Sequence, residues 1–105
     1  MRMWLVDPKK LCRKHLLGEH LEMHYFKGTI TKGKSIKGYV LKGLVETAKI
    51  KERHDALAKE MESRGYKHQS EMTDFQVVSV GFVDVQKNLK ELSNRCLECR
   101  KRIEG

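Results

Sequence analysis

Residues 7–27 have the sequence DPKKLCRKHLLGEHLEMHYFK, and this stretch determines the fold that the sequence predicts. Asp7 followed by Pro8 is typical of a helix start, because aspartate caps free backbone N–H groups and proline is tolerated in the first turn. Apolar side chains then recur at helical spacing, at Cys12, Leu16, Met23 and Phe26. We therefore expect an amphipathic helix over residues 9–27.

Two more helices are predicted further along the chain. Thr47 is a candidate N-cap for a second helix that ends at Arg64, with Gly65 as its stop signal. Asp84 is a candidate cap for a third helix, in which apolar residues follow at spacings of three and four. These residues are Val85, Leu89, Leu92, Cys96, Cys99 and Ile103.

Residues 75–82 are apolar and partly alternating, but the sequence offers them no partner strand. We expect this segment to lie extended over the helices, since an isolated strand is unstable. The predicted fold is all-α, a compact three-helix single domain covering residues 1–105 with long irregular connections.

The length of 105 residues allows one modest core, and no apolar run approaches the roughly 20 residues of a membrane helix. An odd number of cysteines, three, does not form a disulfide framework. A reducing compartment is the simpler interpretation of this count. We also expect a monomer, no membrane partner and no cofactor. The expected location is cytoplasmic, nucleoid-associated or in viral or host cytoplasm.

The net charge of +8 is concentrated at the start of the chain. Residues 1–43 hold 10 Lys and Arg against 3 acidic residues, whereas residues 44–105 hold 12 against 11. Such asymmetry indicates a polyanion partner that binds one surface, although a solvated basic face is the alternative. Nucleic acid is the polyanion that we expect.

A Lys-Gly dipeptide recurs every five residues, starting at Lys27, Lys32, Lys37 and Lys42. Neither helix nor strand has this period, so the series predicts a loop-rich segment. Helix one could continue into the start of this segment. Glycine lets backbone N–H groups approach a phosphate and lysine supplies a mobile charge, but the glycines could equally serve turn geometry alone.

Cys96 and Cys99 have the spacing of a metal-ligand pair, and only Cys12 and His15 could complete a set of four. Both cysteines also fall in the apolar stripe of the third helix, where free cysteine packs as a small hydrophobe. We interpret them as core residues and predict no metal site. His54, which lies within the apolar stripe of the second helix, is interpreted as a core or interfacial residue and not as a ligand.

On helix one, His15, Glu19 and Glu22 fall within about 60° of one another at 100° per residue. A histidine near carboxylates can serve in acid–base chemistry, but helices carry such pairs by chance. The pattern by itself is a weak indication of function.

The run HLLGEHLE at residues 15–22, followed by Phe26-Lys27-Gly28, resembles the first helix of the endonuclease V type pyrimidine-dimer DNA glycosylases. The opening Met1-Arg2 is similar to the start of their mature chains, and Arg64-Gly65-Tyr66 is similar to the end of their second helix. The resemblance extends from Met1 to about Tyr66 and is poor beyond it.

The resemblance implies a compact three-helix fold and a DNA repair glycosylase and AP lyase that acts on damaged double-stranded DNA. In that family the N-terminal amine attacks C1′ of the damaged nucleotide, a Schiff base forms, and β-elimination cuts the strand. Carried over by position, the catalytic residues are Met1, Arg2 and Glu22, while Arg2 and His15 contact DNA. For the basic segment that follows, we expect Lys27, Lys32, Lys34 and Lys37 to track the DNA backbone.

The position of the amine has an independent check. Arginine at the second position blocks removal of the initiator methionine, so Met1 itself carries the α-amine in this alignment. An α-amine is a weaker base than a lysine amine, so a larger share of it is neutral and nucleophilic at neutral pH.

The sequence departs from the family at two positions of helix one, where Leu21 and Tyr25 replace arginines that grip DNA at the lesion. The alternative function is therefore a non-catalytic basic DNA-binding protein of the same fold. A small metal-linked interaction module built around the cysteines is a third interpretation.

Overall fold

The computed structural model describes residues 1–67 and 70–105, and in these residues all regular secondary structure is helical. Five α-helices follow one another: α1 (Arg13–Thr31), α2 (Lys37–Leu41), α3 (Ile50–Ser63), α4 (Val85–Arg95) and α5 (Leu97–Glu104). Short 3-10 helices, Pro8–Lys10 and Thr47–Lys49, precede α1 and α3. The prediction of an all-α fold is confirmed, with α1, α3 and the α4–α5 pair in the places of the three predicted helices.

The first helix begins later than predicted. Asp7 caps only the 3-10 turn, where its side chain accepts a hydrogen bond from the backbone N–H of Lys9. Leu11 is extended and Cys12 is the N-cap of α1, which then continues past Lys27 to Thr31. The chain therefore turns once before α1, and this turn places Cys12 at the helix start.

The Lys-Gly series divides between helices and turns. Gly28 lies inside α1 and Gly38 inside α2, whereas Gly33 and Gly43 follow the ends of these helices with φ of 71° and 68°. A left-handed residue after a helix end is a position that favours glycine. The prediction of a loop-rich segment holds for the two turns and misses the short helix α2.

The sequence suggested Thr47 as the N-cap of α3. Thr47 does not cap this helix and is buried instead. Its hydroxyl donates to the carbonyl oxygen of Val78 at 2.6 Å and accepts from the backbone N–H of Val80 at 2.9 Å. At Gly81, φ is 88°, and a Cβ would collide with the carbonyl oxygen of Val45. These contacts hold residues 75–82, which form neither helix nor strand, against the residues that precede α3.

The predicted third helix is interrupted. Cys96 is extended, with φ of −133° and ψ of 108°, so that α4 ends at Arg95 and α5 starts at Leu97. Asp84 does cap α4, since its side chain accepts a hydrogen bond from the backbone N–H of Lys87 at 3.1 Å. A continuous apolar stripe therefore does not guarantee a continuous helix.

The core lies where α1 packs on α3, with α4 and the first residues of the chain closing it. Fully buried side chains from these parts include Met3, Leu16, Phe26, Leu57 and Leu92. The amino-terminal residues are thus part of the core, and their burial fixes the position of the chain end.

No helix within the described residues is both long and apolar enough to cross a membrane.

Candidate active site at the amino terminus

Residues 1–6 are held against the helices by their own backbone. The backbone N–H of Met3 donates to the carbonyl oxygen of Leu44 at 2.7 Å, and the Trp4 carbonyl accepts from the Asn88 side chain at 2.9 Å. The side chain of Met3 is fully buried, and Leu5 has a left-handed φ of 55°. These contacts fix the chain terminus, which would otherwise fray.

The terminal amine lies beside a carboxylate of α1. The nitrogen of Met1 is 3.8 Å from Glu22 Oε1, and the same oxygen accepts a hydrogen bond from the backbone N–H of Arg2 at 2.8 Å. The side chains of Met1 and Glu22 are 20% and 27% exposed. A Cβ at Gly18 would lie 3.9 Å from Glu22 Oε2, so glycine leaves the space beside this carboxylate open. The side chains of both residues are therefore partly exposed to solvent.

The guanidinium of Arg2 is bound to α4. It donates to Glu91 Oε2 at 2.6 Å and to Asn88 Oδ1 at 2.8 Å, and it lies 3.6 Å above the centroid of the Trp4 ring. Burial alone would raise the pKa of Glu91, but the hydrogen bond from Arg95 and the charge of Arg2 hold this pKa below its ordinary value. Arg2 thus connects the amino terminus to a helix near the end of the chain.

Glu19, one helical turn before Glu22, has a different environment. Its buried carboxylate accepts from Arg53 Nε at 2.7 Å and from Arg53 Nη2 at 2.8 Å. The backbone N–H of Trp4 also donates to it at 3.0 Å. This bidentate pair joins α1 to α3 and supports the segment that carries the terminal amine.

In the structure the neighbours of His15 include Cys12 and Trp4. Met1, Arg2 and Glu22 lie together. The Nδ1 atom of His15 lies 3.2 Å from the sulfur of Cys12. His15 also packs edge-on to Trp4, with ring centroids 5.8 Å apart. Burial, followed by the charge of Arg95, lowers the pKa of His15, which favours the neutral ring.

The lysines of the Lys-Gly segment have two kinds of surroundings. Lys27 donates to both the carbonyl and the hydroxyl oxygen of Thr73 at 3.1 Å. Lys32, Lys34 and Lys37 are exposed at and beyond the end of α1. At 1.5 Å per residue, the end of α1 lies roughly 15 Å from Glu22.

Two groups of side chains among the described residues could hold a metal ion. Cys12, His15, Cys96 and Cys99 form one, and His20, His24 and His54 form the other. In the histidine group the ring centroids of His20 and His54 are 4.7 Å apart, and His54 Nε2 is 2.9 Å from the carbonyl oxygen of Ser70. His54 is buried, as expected for a core or interfacial residue.

Sequence reasoning missed the residues that position the terminus. Asn88 and Glu91 lie on the polar side of α4, far from Arg2 along the chain, and nothing in their local pattern indicated this contact. Arg53 was missed for a similar reason. The role of this arginine becomes apparent only when the fold places the carboxylate of Glu19 opposite it.

The arrangement defines a class of protein: a small helical protein that presents a fixed terminal amine beside a carboxylate, with a basic segment after the helix that carries this carboxylate. A comparison with protein families gives the particular one. The family model for pyrimidine dimer DNA glycosylase matches residues 1–74, and the chain belongs to this family. Neither curated proteins nor solved structures yielded a match.

Proposed function

We propose that this protein is a bifunctional DNA glycosylase and AP lyase that uses the α-amine of Met1 as its nucleophile. The observation that carries the proposal is the distance of 3.8 Å between this amine and Glu22 Oε1. Membership of the pyrimidine dimer DNA glycosylase family supports damaged DNA as the substrate. The concentration of positive charge in residues 1–43 supports a duplex bound on this side of the protein.

In the proposed reaction the neutral amine attacks C1′, and the bond between C1′ and the base breaks. The base leaves with the bonding electrons and takes up a proton. Opening of the sugar ring then places a proton on O4′ and leaves a protonated imine between Met1 and C1′. Removal of a proton from C2′ expels the 3′ phosphate and cuts the strand.

Glu22 is the group that we propose for these proton transfers. Its carboxylate lies 3.8 Å from the amine. In the proposal it accepts a proton from the amine and delivers one to O4′, and its negative charge stabilises the cationic imine. For Arg2 we propose a positioning role, because its backbone N–H holds Glu22 and its guanidinium holds the terminus on α4. The DNA contacts of Arg2 and His15 stay predictions from the resemblance.

The test is borohydride trapping on a duplex with one abasic site. We expect a covalent adduct, and mass spectrometry of its peptides should place the DNA on Met1. Glu22→Gln should slow trapping by at least about 10²-fold, the usual size of a proton-transfer contribution. An intact-mass measurement first verifies that the purified chain starts with a free Met1.

Two matched controls sharpen this experiment. Glu52→Gln changes an exposed glutamate on α3 and should trap at the wild-type rate. A chain with one extra residue before Met1 keeps an α-amine but displaces it from Glu22, and it should not trap. An adduct on a lysine, or no adduct despite DNA binding, would contradict the proposal, and the second outcome would identify a non-catalytic DNA-binding protein.

We further propose that Lys32, Lys34 and Lys37 bind phosphates of the duplex. In this proposal Lys27 also binds a phosphate, together with the segment around Thr73 to which it donates. Each phosphate contact contributes a slope of roughly −0.9 to the plot of log affinity against log salt concentration. Replacing the three exposed lysines by alanine should therefore reduce the slope by about three. The charge-matched control replaces Lys59, Lys90 and Lys101, and an equal change in slope there would contradict a localised interface.

A further inference from the structure

The cluster of Cys12, His15, Cys96 and Cys99 brings together two short segments from the two ends of the chain. One ligand atom from each residue, three sulfurs and one ring nitrogen, lies within 4.8 Å of every other. Cys12 and Cys99 are buried, and Cys96 and His15 are half-buried. All three cysteines of the sequence therefore meet at one place.

Three distances in the cluster lie within about 0.4 Å of the edges of a tetrahedron around one zinc ion. Zinc lies about 2.3 Å from sulfur and about 2.0–2.1 Å from histidine nitrogen, which gives edges of about 3.8 Å between sulfurs and about 3.6 Å between sulfur and nitrogen. The Cys12 and Cys96 sulfurs are 3.9 Å apart. His15 Nδ1 lies 3.2 Å from the Cys12 sulfur and 3.5 Å from the Cys99 sulfur.

The backbone presents both pairs in the same way. Cys12 is the N-cap of α1 and Cys96 the N-cap of α5, and the second member of each pair lies three residues later in the first helical turn. The backbone N–H of Cys99 donates to the Cys96 sulfur at 3.4 Å, and the backbone N–H of Cys12 donates to the Cys99 sulfur at 3.3 Å. Hydrogen bonds donated to sulfur stabilise a thiolate, which is the form that binds a metal.

The prediction that Cys96 and Cys99 are core residues is confirmed, because Cys99 is fully buried in the core and Cys96 packs against it. The break between α4 and α5 changes which groups the two sulfurs face. In one continuous helix, Cys96 and Cys99 would point into an apolar stripe. The extended conformation at Cys96 instead turns its sulfur towards Cys12 and towards the start of α5. The fold thus assembles the four-residue set that the spacing alone left incomplete.

We propose that Cys12, His15, Cys96 and Cys99 bind one structural Zn²⁺ ion in a closed tetrahedral site. Binding converts three thiols to thiolates and releases their three protons to solvent, while neutral His15 coordinates through Nδ1. Three sulfurs and one imidazole in tetrahedral geometry select zinc over magnesium or calcium. Because four protein ligands fill the coordination sphere, the ion has no position for substrate.

The site would fasten the end of the chain to the helix that carries Glu22. Cys96 and Cys99 lie outside the residues 1–74 that match the family model, whereas Cys12 and His15 lie inside them. His15 packs against Trp4, and Trp4 lies beneath the Arg2 guanidinium. Coordination through Nδ1 also leaves Nε2 as the one nitrogen of His15 that can contact DNA.

The test measures metal directly, without reference to catalysis. Protein purified under reducing conditions without added chelator is analysed for zinc by elemental mass spectrometry, and we expect close to one ion per chain. Removal of zinc by a chelator and addition of Co²⁺ should give the strong visible absorption and sulfur-to-cobalt charge-transfer bands of a tetrahedral thiolate site. Alkylation of the three cysteines should be slow with metal bound and fast after chelation.

Variants locate the ion and exclude the other cluster. Cys96→Ser and Cys99→Ser should bind close to no zinc and lose the cobalt charge-transfer bands, whereas Glu98→Gln, between them, should keep both. His24→Gln alters the histidine group and should also keep one zinc. The chelation and cobalt measurements on the unchanged chain stand even if a cysteine variant fails to fold.

Three results would overturn the proposal. The first is wild-type protein that contains no zinc and gives no tetrahedral cobalt spectrum. The second is zinc that persists in the cysteine variants but is lost in His24→Gln, which would place the ion in the histidine group. The third is a disulfide within the cluster in protein kept under reducing conditions. Each of these leaves the trapping experiment on Met1 unaffected, so the two proposals fail separately.

Discussion

Glu19 and Glu22 lie one turn apart on α1, and both accept a hydrogen bond from the backbone of the amino-terminal segment. Glu19 receives the N–H of Trp4 and Glu22 that of Arg2. The side chain of Glu19 is fully buried and paired with Arg53, whereas that of Glu22 is 27% exposed beside the terminal amine. Two identical residues therefore occupy opposite environments within one turn of a helix.

The difference shows how one helix can stabilise the fold with one carboxylate and leave another partly exposed beside the terminal amine. Both oxygens of Glu19 are saturated by a bidentate arginine and a backbone N–H, so Glu19 is not available for proton transfer. The carboxylate of Glu22 faces the amine on one side and the gap above Gly18 on the other. Glu22 is therefore the carboxylate of this helix that remains partly exposed beside the amine.

The largest expected effect comes from breaking the buried pair. Glu19→Gln leaves the Arg53 guanidinium buried without a counter-charge, and loss of one partner of a buried ion pair costs about 3–5 kcal/mol in the free energy of unfolding. Urea denaturation followed by circular dichroism measures this change. Glu22→Gln is the matched control one turn away.

For Glu22→Gln we expect a change of less than about 1 kcal/mol, because its surroundings are partly solvated. If both variants lost the same stability, the contrast between the two carboxylates would be wrong. The contrast would also be wrong if Glu19→Gln folded normally and trapped abasic DNA as slowly as Glu22→Gln.

A smaller effect is expected from Asn88 on α4. Its buried amide donates to the Trp4 carbonyl and accepts from the Arg2 guanidinium. Asn88→Ala leaves buried polar groups without their partner, which costs about 1–3 kcal/mol. Because the terminus loosens, we also expect a slower rate of borohydride trapping.

Asn94→Ala, on the exposed side of the same helix, is the control for Asn88 and should change neither stability nor trapping. Unchanged trapping in a folded Asn88→Ala protein would mean that α4 does not position the amine. The position of the amine beside Glu22 would then depend on α1 and α3 alone.

The sequence predicted the helices α1 and α3 well, because their apolar residues recur at a local period. Apart from the missed helix α2, its errors concern where helices begin and end. Asp7 caps a separate turn, Thr47 is used to dock the extended segment, and Cys96 interrupts an otherwise regular stripe. In each case the side chain makes a different contact from the one that its local pattern indicated.

The catalytic candidates followed from the family resemblance between Met1 and Tyr66, and the structure places Met1, Arg2 and Glu22 together. The pairing of Glu19 with Arg53 could not be predicted, since it depends on how α1 packs against α3. The same holds for the cysteine cluster, where the residues were considered but their convergence was not foreseen.

By itself the sequence determined the helical class, the basic first half and the family, because periodicity, charge and motifs are properties of neighbouring residues. Tertiary structure alone decided which glutamate is buried and which faces the amine, and that three cysteines and a histidine meet. These outcomes depend on residues far apart in the chain, whose contacts arise only when the helices pack.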